Sequence, residues 1–600
     1  MGRESCDGVI SIATASAPPY ESFMFRLVPA VVCVSFCVGR MVSAQEPPAD
    51  LILHNGKVVT VDDRFSIREA VAVRGEHILR VGSNAEVLAL RGPRTEVSDL
   101  AGKTVVPGLI DSHAHPLAAS LAEFDHAIPQ MDSVQEVLDY YAARTKIAPE
   151  GQWIVLRQVF ITRLREQRYP TRAELDRVAP RHPVVFATGP DAMLNSLALE
   201  LNHIGRSFQV TDGGPGFVEK DLTSGEPTGL VRTFARFVKV PATGRTPTPE
   251  DQQRCLAELF RDYNSVGLTA VCERDAAPDQ IPVYRALRDS GRSNMRVALS
   301  YHISSEGDLA TIQQNIRRVA EEPLFKQKDP LLRIIGVKAY LDGGMLTGSA
   351  YLREPWGVSQ MYGITDPRYR GMLFIPKDRL REMARAAVEQ GLQFTAHSVG
   401  DGAVHTLLEV YEELARELPL RRTRPCVSHS NFMSREAVEQ AARLGVMLDI
   451  QPAWLYLDTR TLVKQFGYDR LRYFQPLHSI FAAGGLAGGG SDHMQKIGSL
   501  RSNNPYNPFL GMATAITRQA RWHDGRLHPE ESLSREQALR FYTINNARIL
   551  FLDEVVGSLE RGKLADLVVL DRDLLTCPED QIASTQVLRT YFSGRPVYQR

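Results

Sequence analysis

The chain has 600 residues, with 70 Lys and Arg balancing 70 Asp and Glu, so its formal net charge is zero. With 44% hydrophobic and 23% charged residues, the composition is that of a globular protein and excludes a disordered, collagenous or coiled-coil chain. Zero net charge removes the broad field that draws a protein to nucleic acid or an anionic membrane, which leaves a small molecule as the expected partner.

The N-terminus carries a secretory pattern. From Met24 it reads Met-Phe-Arg, then the apolar run Leu27 to Gly39, then Val42-Ser43-Ala44 before Gln45. This predicts a leader over residues 1–44, its signal at about 24–44, and an exported (periplasmic or secreted) mature chain with no membrane attachment after cleavage. A membrane anchor and a disordered or misannotated leader are the rival readings; Met24 is an alternative start. The seven cysteines show no Cys-x-x-Cys and no regular spacing, so a disulfide framework is not expected.

Residues 45–107 alternate β-type runs with turns, among them Leu51 to Val61, Ala70 to Glu76 and Gly102 to Gly108; Asn55-Gly56 predicts a hairpin. The last segment, 549–600, repeats this style in Ala565 to Asp571 and Tyr591 to Tyr598, and two β-rich chain ends are expected to pair because neither can bury its apolar face alone. Between them, over residues 108–548, short apolar runs alternate with helical patterns at Lys377 to Gln390, Arg435 to Leu444 and Ser534 to Arg548. Eight core strands are predicted: Leu109 to His115, Leu268 to Glu273, Arg296 to His302, Ile334 to Leu341, Gln393 to His397, Pro425 to His429, Val446 to Gln451 and Leu486 to Asp492. The expected fold class is therefore α/β, a (β/α)8 TIM barrel. The interval at about 118–260 is too long for a loop and predicts an inserted subdomain after the first barrel strand, over the barrel mouth.

Candidate chemistry falls at strand ends. His113 and His115 alternate along one strand and so share a side of it. A lone His-x-His is a weak signal. Lys338, His397, His429 and Asp492, however, all stand at the C-terminal ends of other predicted strands, the face on which barrel catalytic groups converge. Glu273 ends the second strand and is open between a ligand and an ion-pairing role. Asp401 is open between orienting His397 and capping a helix. Cys272 is expected in the core. No Gly-x-Ser-x-Gly element supports a serine hydrolase.

Taken together, Val106-Pro-Gly-Leu-Ile-Asp-Ser-His-Ala-His-Pro116, Gly336-Val-Lys-Ala-Tyr-Leu-Asp-Gly343, Thr395-Ala-His-Ser-Val-Gly-Asp-Gly402, Val427-Ser-His429, Gly490-Ser-Asp492, Tyr542-Thr-Ile-Asn-Asn-Ala547 and Gly557 to Asp566 resemble the amidohydrolase superfamily. Within it they resemble the family 3 branch that includes N-substituted formamide deformylases. The resemblance covers nearly everything from residue 50 onward. It implies a urease-like β-sandwich composed of both chain ends and a binuclear centre, usually two Zn. Carried over by position, His113, His115 and Asp492 look like ligands of the buried metal, His397 and His429 like ligands of the other, and Lys338 like an N-carboxylated bridging lysine. Asp492 looks like the catalytic proton acceptor, with a metal-held hydroxide as nucleophile. A substrate- or ion-pairing role is the rival for Lys338.

The chain departs from its relatives around the substrate. Pro190 stands in a usual histidine position, and Gly344 to Ala350, with Gly348, lacks a usual arginine. The expected activity is hydrolysis of an amide or formamide-like C–N bond. A deaminase or cyclic-amide hydrolase is the alternative on the same scaffold, and a regulatory binding protein with a vestigial site is the alternative from another class. A homodimer is among the expected assembly states.

Overall fold

The computed structural model describes residues 46–600 apart from 158, 213 and 243, so the signal pattern lies outside the described residues. Among the described residues no helix is long and apolar enough to cross a membrane.

The eight predicted core strands all form, as Leu109–Ala114, Leu268–Ala276, Arg296–His302, Leu332–Tyr340, Gln393–Ser398, Cys426–His429, Met447–Ile450 and Leu486–Gly489. They lie in one parallel sheet in that order. The first and last strands close it through the stretch after Gly489. Asp492 N–H donates to the His113 carbonyl at 2.7 Å and His115 N–H to the His493 carbonyl at 2.8 Å, which sets Ala114 opposite His493. The runs are almost wholly buried because helices cover the outside of the barrel while side chains fill the inside. Cys272 is buried in this core, as expected.

Helices follow the sequence pattern where the chain obeys local rules. Lys377–Glu389 and Arg435–Leu444 appear with ends close to those expected; the second is capped by Ser434 and closed by Gly445 in the left-handed region. The predicted helix Ser534 to Arg548 instead breaks into Arg535–Phe541 and Ile544–Ile549. The break falls at Thr543, whose φ of −129° and ψ of −99° leave the helical region, next to Tyr542, whose carbonyl accepts the Ile110 N–H of the first barrel strand at 2.8 Å.

The chain ends do pair. Leu567–Leu570 lies antiparallel to Thr104–Pro107 in a six-stranded sheet, and a four-stranded sheet from residues 51–99 stands beside it, sharing a core of Leu53, Val71, Val105 and Leu567. The hairpin expected at Asn55-Gly56 is not formed. Leu51–His54 belongs to the four-stranded sheet and Lys57–Val59 to the six-stranded one, so the dipeptide turns a corner between sheets. Asn55 supplies the positive φ of 56°, while Gly56 lets the chain approach Leu100 and the Lys103 carbonyl where a Cβ would fall 2.4 and 2.8 Å away.

The insertion has its own five-stranded sheet, ordered Phe217–Lys220, Pro227–Arg232, Asp191–Leu194, Val184–Thr188, Ile154–Arg157. Its Arg232 is buried against Asp191 at 2.9 Å, which binds two strands of that sheet. Residues Arg157, Phe160 and Pro190 of this subdomain share one cavity with the strand-end histidines, so the insertion covers the barrel mouth.

Candidate metal centre

His113 and His115 end the first barrel strand and meet Asp492, which follows the eighth. His113 Nδ1 donates to the buried Asp449 carboxylate at 2.8 Å, and His115 Nδ1 to Glu273 at 3.0 Å. Both rings are thereby oriented with Nε2 turned to Asp492 Oδ1, at 3.6 Å from His113 and 3.3 Å from His115. Asp492 Oδ1 is a buried acceptor with no hydrogen-bond partner of good geometry. Two ligands on one tetrahedral ion, at bonds of about 2.1 Å, stand about 3.4 Å apart. The trio therefore fits a divalent metal in donor type and in spacing, and its atoms all lie within 4.8 Å of one another. Each histidine also carries the carboxylate partner that metal-bound imidazoles usually have.

His397 and His429 stand beside this trio. Their ring centroids are 4.4 Å apart, and His429 lies 4.7 Å from His113. His429 Nδ1 donates to Gln451 Oε1 at 2.8 Å, and its ring stacks on Trp454 at 4.9 Å, which again leaves Nε2 to the cavity. His397 Nε2 faces the Gly343 carbonyl at 3.3 Å, leaving Nδ1 as its lone-pair donor. Lys338 is buried, its ammonium 5.2 Å from the Tyr340 ring centroid. The structure thus brings His113, His115, Lys338, His397, His429 and Asp492 to the wall of one cavity of about 670 Å³.

Burial sets the electrostatics. It holds the His113 and His429 pKa values well below the usual range, with neighbouring cations adding to the effect, and takes His397 down to about 3. These imidazoles are neutral, the form that ligates metal. Burial acts the same way on His115, yet the carboxylates of Asp492 and Glu273, which its two ring nitrogens face, outweigh it and raise its pKa to about 10. A proton held between a histidine and a carboxylate marks the place a cation can take. The Lys338 pKa is lowered, chiefly by burial and further by Arg274, with Asp275 opposing.

The strained backbone falls here too. His429 has φ of 79° and Asp492 of 53°, left-handed values unusual outside glycine; His429 ends the sixth barrel strand and Asp492 follows the eighth. Gly490 permits the closure, because a Cβ there would lie 2.7 Å from the Cβ of His113.

Two residues, one in the seventh barrel strand and one just after it, were not singled out from the sequence. Asp449 accepts from Ser112, His113, Arg274 and Gln451, and Gln451 holds His429. Their signal was polar residues at alternate positions in Val446-Met-Leu-Asp-Ile-Gln451, the same period that marks His113 and His115. Glu273 does pair with a histidine, and Tyr284 donates to its other oxygen at 2.7 Å. Asp401 does neither expected task. Gly400 is the N-cap, the Asp401 carboxylate accepts the Arg353 backbone N–H at 2.9 Å, and the acid beside His397 is Asp342, at 3.7 Å. Pro190 and Gly344 lie in the cavity wall, so both sequence departures border the substrate space; Gly348, at φ 78°, packs against Tyr362.

A parallel barrel with a His-His-Asp cluster at its C-terminal mouth and a β-sandwich from both chain ends defines a class of metal-dependent hydrolase. The chain belongs to the Amidohydrolase family, whose sequence pattern matches residues 96–598. It is 30% identical over 563 residues to the N-substituted formamide deformylase of Arthrobacter pascens, covering 92% of this chain and 98% of that one. It is 28% identical to the LONG AFTER FAR-RED 3 protein of Arabidopsis thaliana, covering 92% of each chain. It shares its fold with an uncharacterised metal-dependent hydrolase from Pyrococcus furiosus, with a TM-score of 0.61 at 22% identity, covering 88% of this chain and all of that one.

Proposed function

We propose that the protein hydrolyses a non-peptide C–N bond, an amide or formamide-like group, at a centre of two divalent metals, most simply zinc. The observation that carries this reading is the ligand-like spacing of His113, His115 and the partnerless Asp492 oxygen at the wall of one cavity. Support for the bond type comes from the formamide deformylase that this chain resembles over nearly its full length.

His113, His115 and Asp492 would hold one cation, and His397 and His429 the second. Lys338 would bridge them after its neutral amine adds to carbon dioxide, forming an N–C bond and releasing one proton; burial lowers its pKa and so favours the neutral amine. When bound, such metals supply Lewis acidity, which activates water near neutral pH and polarises a carbonyl. The protein's own part is positional and protic. Asp449 and Glu273 fix the two imidazoles, and Trp454 braces His429. Asp492 takes the proton of the attacking water and returns it to the leaving nitrogen, since an unprotonated amine anion cannot depart.

The decisive experiment is a hydrolysis screen of the metal-loaded protein against N-formyl, N-acyl, cyclic-amide and aminated heterocycle panels. Turnover of formyl or acyl amides is expected. Preference for the heterocycles would replace this reading with a deaminase, and no turnover with no bound metal would make the site vestigial. Substitution Lys338→Ala is expected to lose metal and activity together, with partial rescue by short carboxylic acids; unchanged metal content and turnover would place this lysine outside the centre.

We further infer export with cleavage before Gln45, supported by the residue pattern that ends at Ala44. Intact-mass analysis of the exported protein should begin at Gln45, and a chain retaining residues 24–44 would overturn this.

A further inference from the structure

The cavity that holds the histidines is lined elsewhere by apolar groups, among them Ile128, Val155, Phe160, Leu346, Phe374 and Met494. Its wall carries four acids, and each has another task. Glu273 serves His115 and Tyr284, and Asp275 serves His302 and Tyr340. Asp342 accepts the backbone N–H groups of Tyr351, Val399 and Gly400, while Asp492 faces His113 and His115. Two Lys or Arg side chains line the cavity among the described residues. One is Lys338, buried beside the histidines. The other is Arg157, at the end of the strand Ile154–Arg157 in the covering subdomain.

Arg157 differs from the other arginines of this region. Arg163 is tied to Asp458 at 3.0 Å, and Arg232 is tied to Asp191. The Arg157 backbone pairs with Ala187 in the sheet and its carbonyl accepts from Gln495 Nε2 at 3.1 Å, while among the described residues no carboxylate pairs with its guanidinium. Desolvation lowers the pKa of its guanidinium, and no acid acts in the opposite direction. The side chain nevertheless remains solvent-accessible, so an entering molecule can reach it. A solvent-accessible arginine beside a largely apolar wall, with no carboxylate of its own, offers its guanidinium to an anion that the cavity binds. One guanidinium fork matches one carboxylate in charge and in bidentate geometry, whereas a dianion would leave one charge unmatched.

We propose that Arg157 is the specificity-determining residue of this pocket and reads a carboxylate on an otherwise apolar amide substrate, whose scissile group lies at the histidines. This rests on the hydrolase reading above. The substrate class is then an N-formyl or N-acyl amino acid, or a similar amide acid, in place of a neutral amide. The covering subdomain thereby selects the substrate while the barrel supplies the chemistry.

The test compares N-formylphenylalanine and N-formyl and N-acetyl ω-amino acids of graded length, each with its primary carboxamide. It uses the metal-loaded protein and its Arg157→Gln and Arg157→Lys variants. In the wild type kcat/KM is expected to favour at least one acid over its carboxamide by about 10- to 100-fold, the scale of a charge-assisted hydrogen bond. That ratio should fall to near one in Arg157→Gln and return in part in Arg157→Lys, which keeps the charge without the fork. Titration calorimetry with the same carboxylate and carboxamide pairs reads the preference without turnover. An equal ratio in wild type and Arg157→Gln, or a wild-type preference for the carboxamide, would overturn the proposal, as would failure of both turnover and binding. Carboxylate binding that depends on Arg157 without hydrolysis would keep the subsite and discard the hydrolase reading. Hydrolysis indifferent to Arg157 would do the reverse.

Discussion

At the residue scale, the centre depends on groups that hold each other at set protonation states. Asp492 combines a left-handed backbone, a buried carboxylate and two facing imidazoles. Asparagine keeps its shape and one oxygen but cannot carry a proton from water to the leaving nitrogen. Asp492→Asn is therefore expected to keep the fold and much of the metal while losing about two to four orders of magnitude in turnover. Near-normal steady-state rates with a lowered melting temperature would assign the residue a structural task only. Asp449 acts one step further out, through His113 Nδ1. Asp449→Asn should weaken metal binding or activity about 10- to 100-fold. Metal titration should show the loss, and because Asp449 also neutralises the buried Arg274, thermal melting should show a second effect.

At the element scale, the two strands that close the barrel also build the metal site. The eighth strand runs into Gly490, whose missing side chain lets the backbone pass His113 so that Asp492 N–H can reach the His113 carbonyl. A methyl group there meets the His113 backbone nitrogen at 2.9 Å as well as its Cβ, and neither can move without shifting the ligand strand. Gly490→Ala is expected to cost about 100-fold in turnover, the scale of a misplacement of about 1 Å, with metal content reduced. Wild-type kinetics and metal content would show that the closure has slack. The same scale explains the broken helix after Phe541. Its sequence is helical throughout, but the first barrel strand takes the Tyr542 carbonyl and the helix restarts at Ile544.

At the scale of the whole molecule, the C-terminal segment and the barrel are held by a buried bidentate pair. Arg296 of the third barrel strand meets Asp566 at 2.7 and 2.8 Å, and Asp566 also accepts the Ser593 N–H. Removing one partner of such a pair leaves an uncompensated charge in the interior. Asp566→Ala is expected to destabilise the protein by about 3–5 kcal/mol, measured by denaturant unfolding, although the residue is far in sequence from every site residue. A loss below about 1 kcal/mol would mean that water or a neighbour replaces the carboxylate.

The eight strands and His113, His115, Lys338, His397, His429 and Asp492 were legible in the sequence because both signals are local. An apolar run between turns reports a buried strand, and a polar residue at its end reports the barrel mouth. Asp449, Gln451 and Arg157 were not singled out, since their meaning lies in what faces them across 336 residues, 22 residues and a cavity wall. Asn55-Gly56 shows the same limit. The dipeptide determines a sharp turn by its backbone preferences, but whether its flanking strands pair with each other is decided by the other chain segments available to them. The sequence by itself determined which residues would converge. Tertiary structure alone decided their orientation, because imidazole direction, carboxylate partnering and the counterion of an arginine are set by contacts between segments that no local pattern encodes.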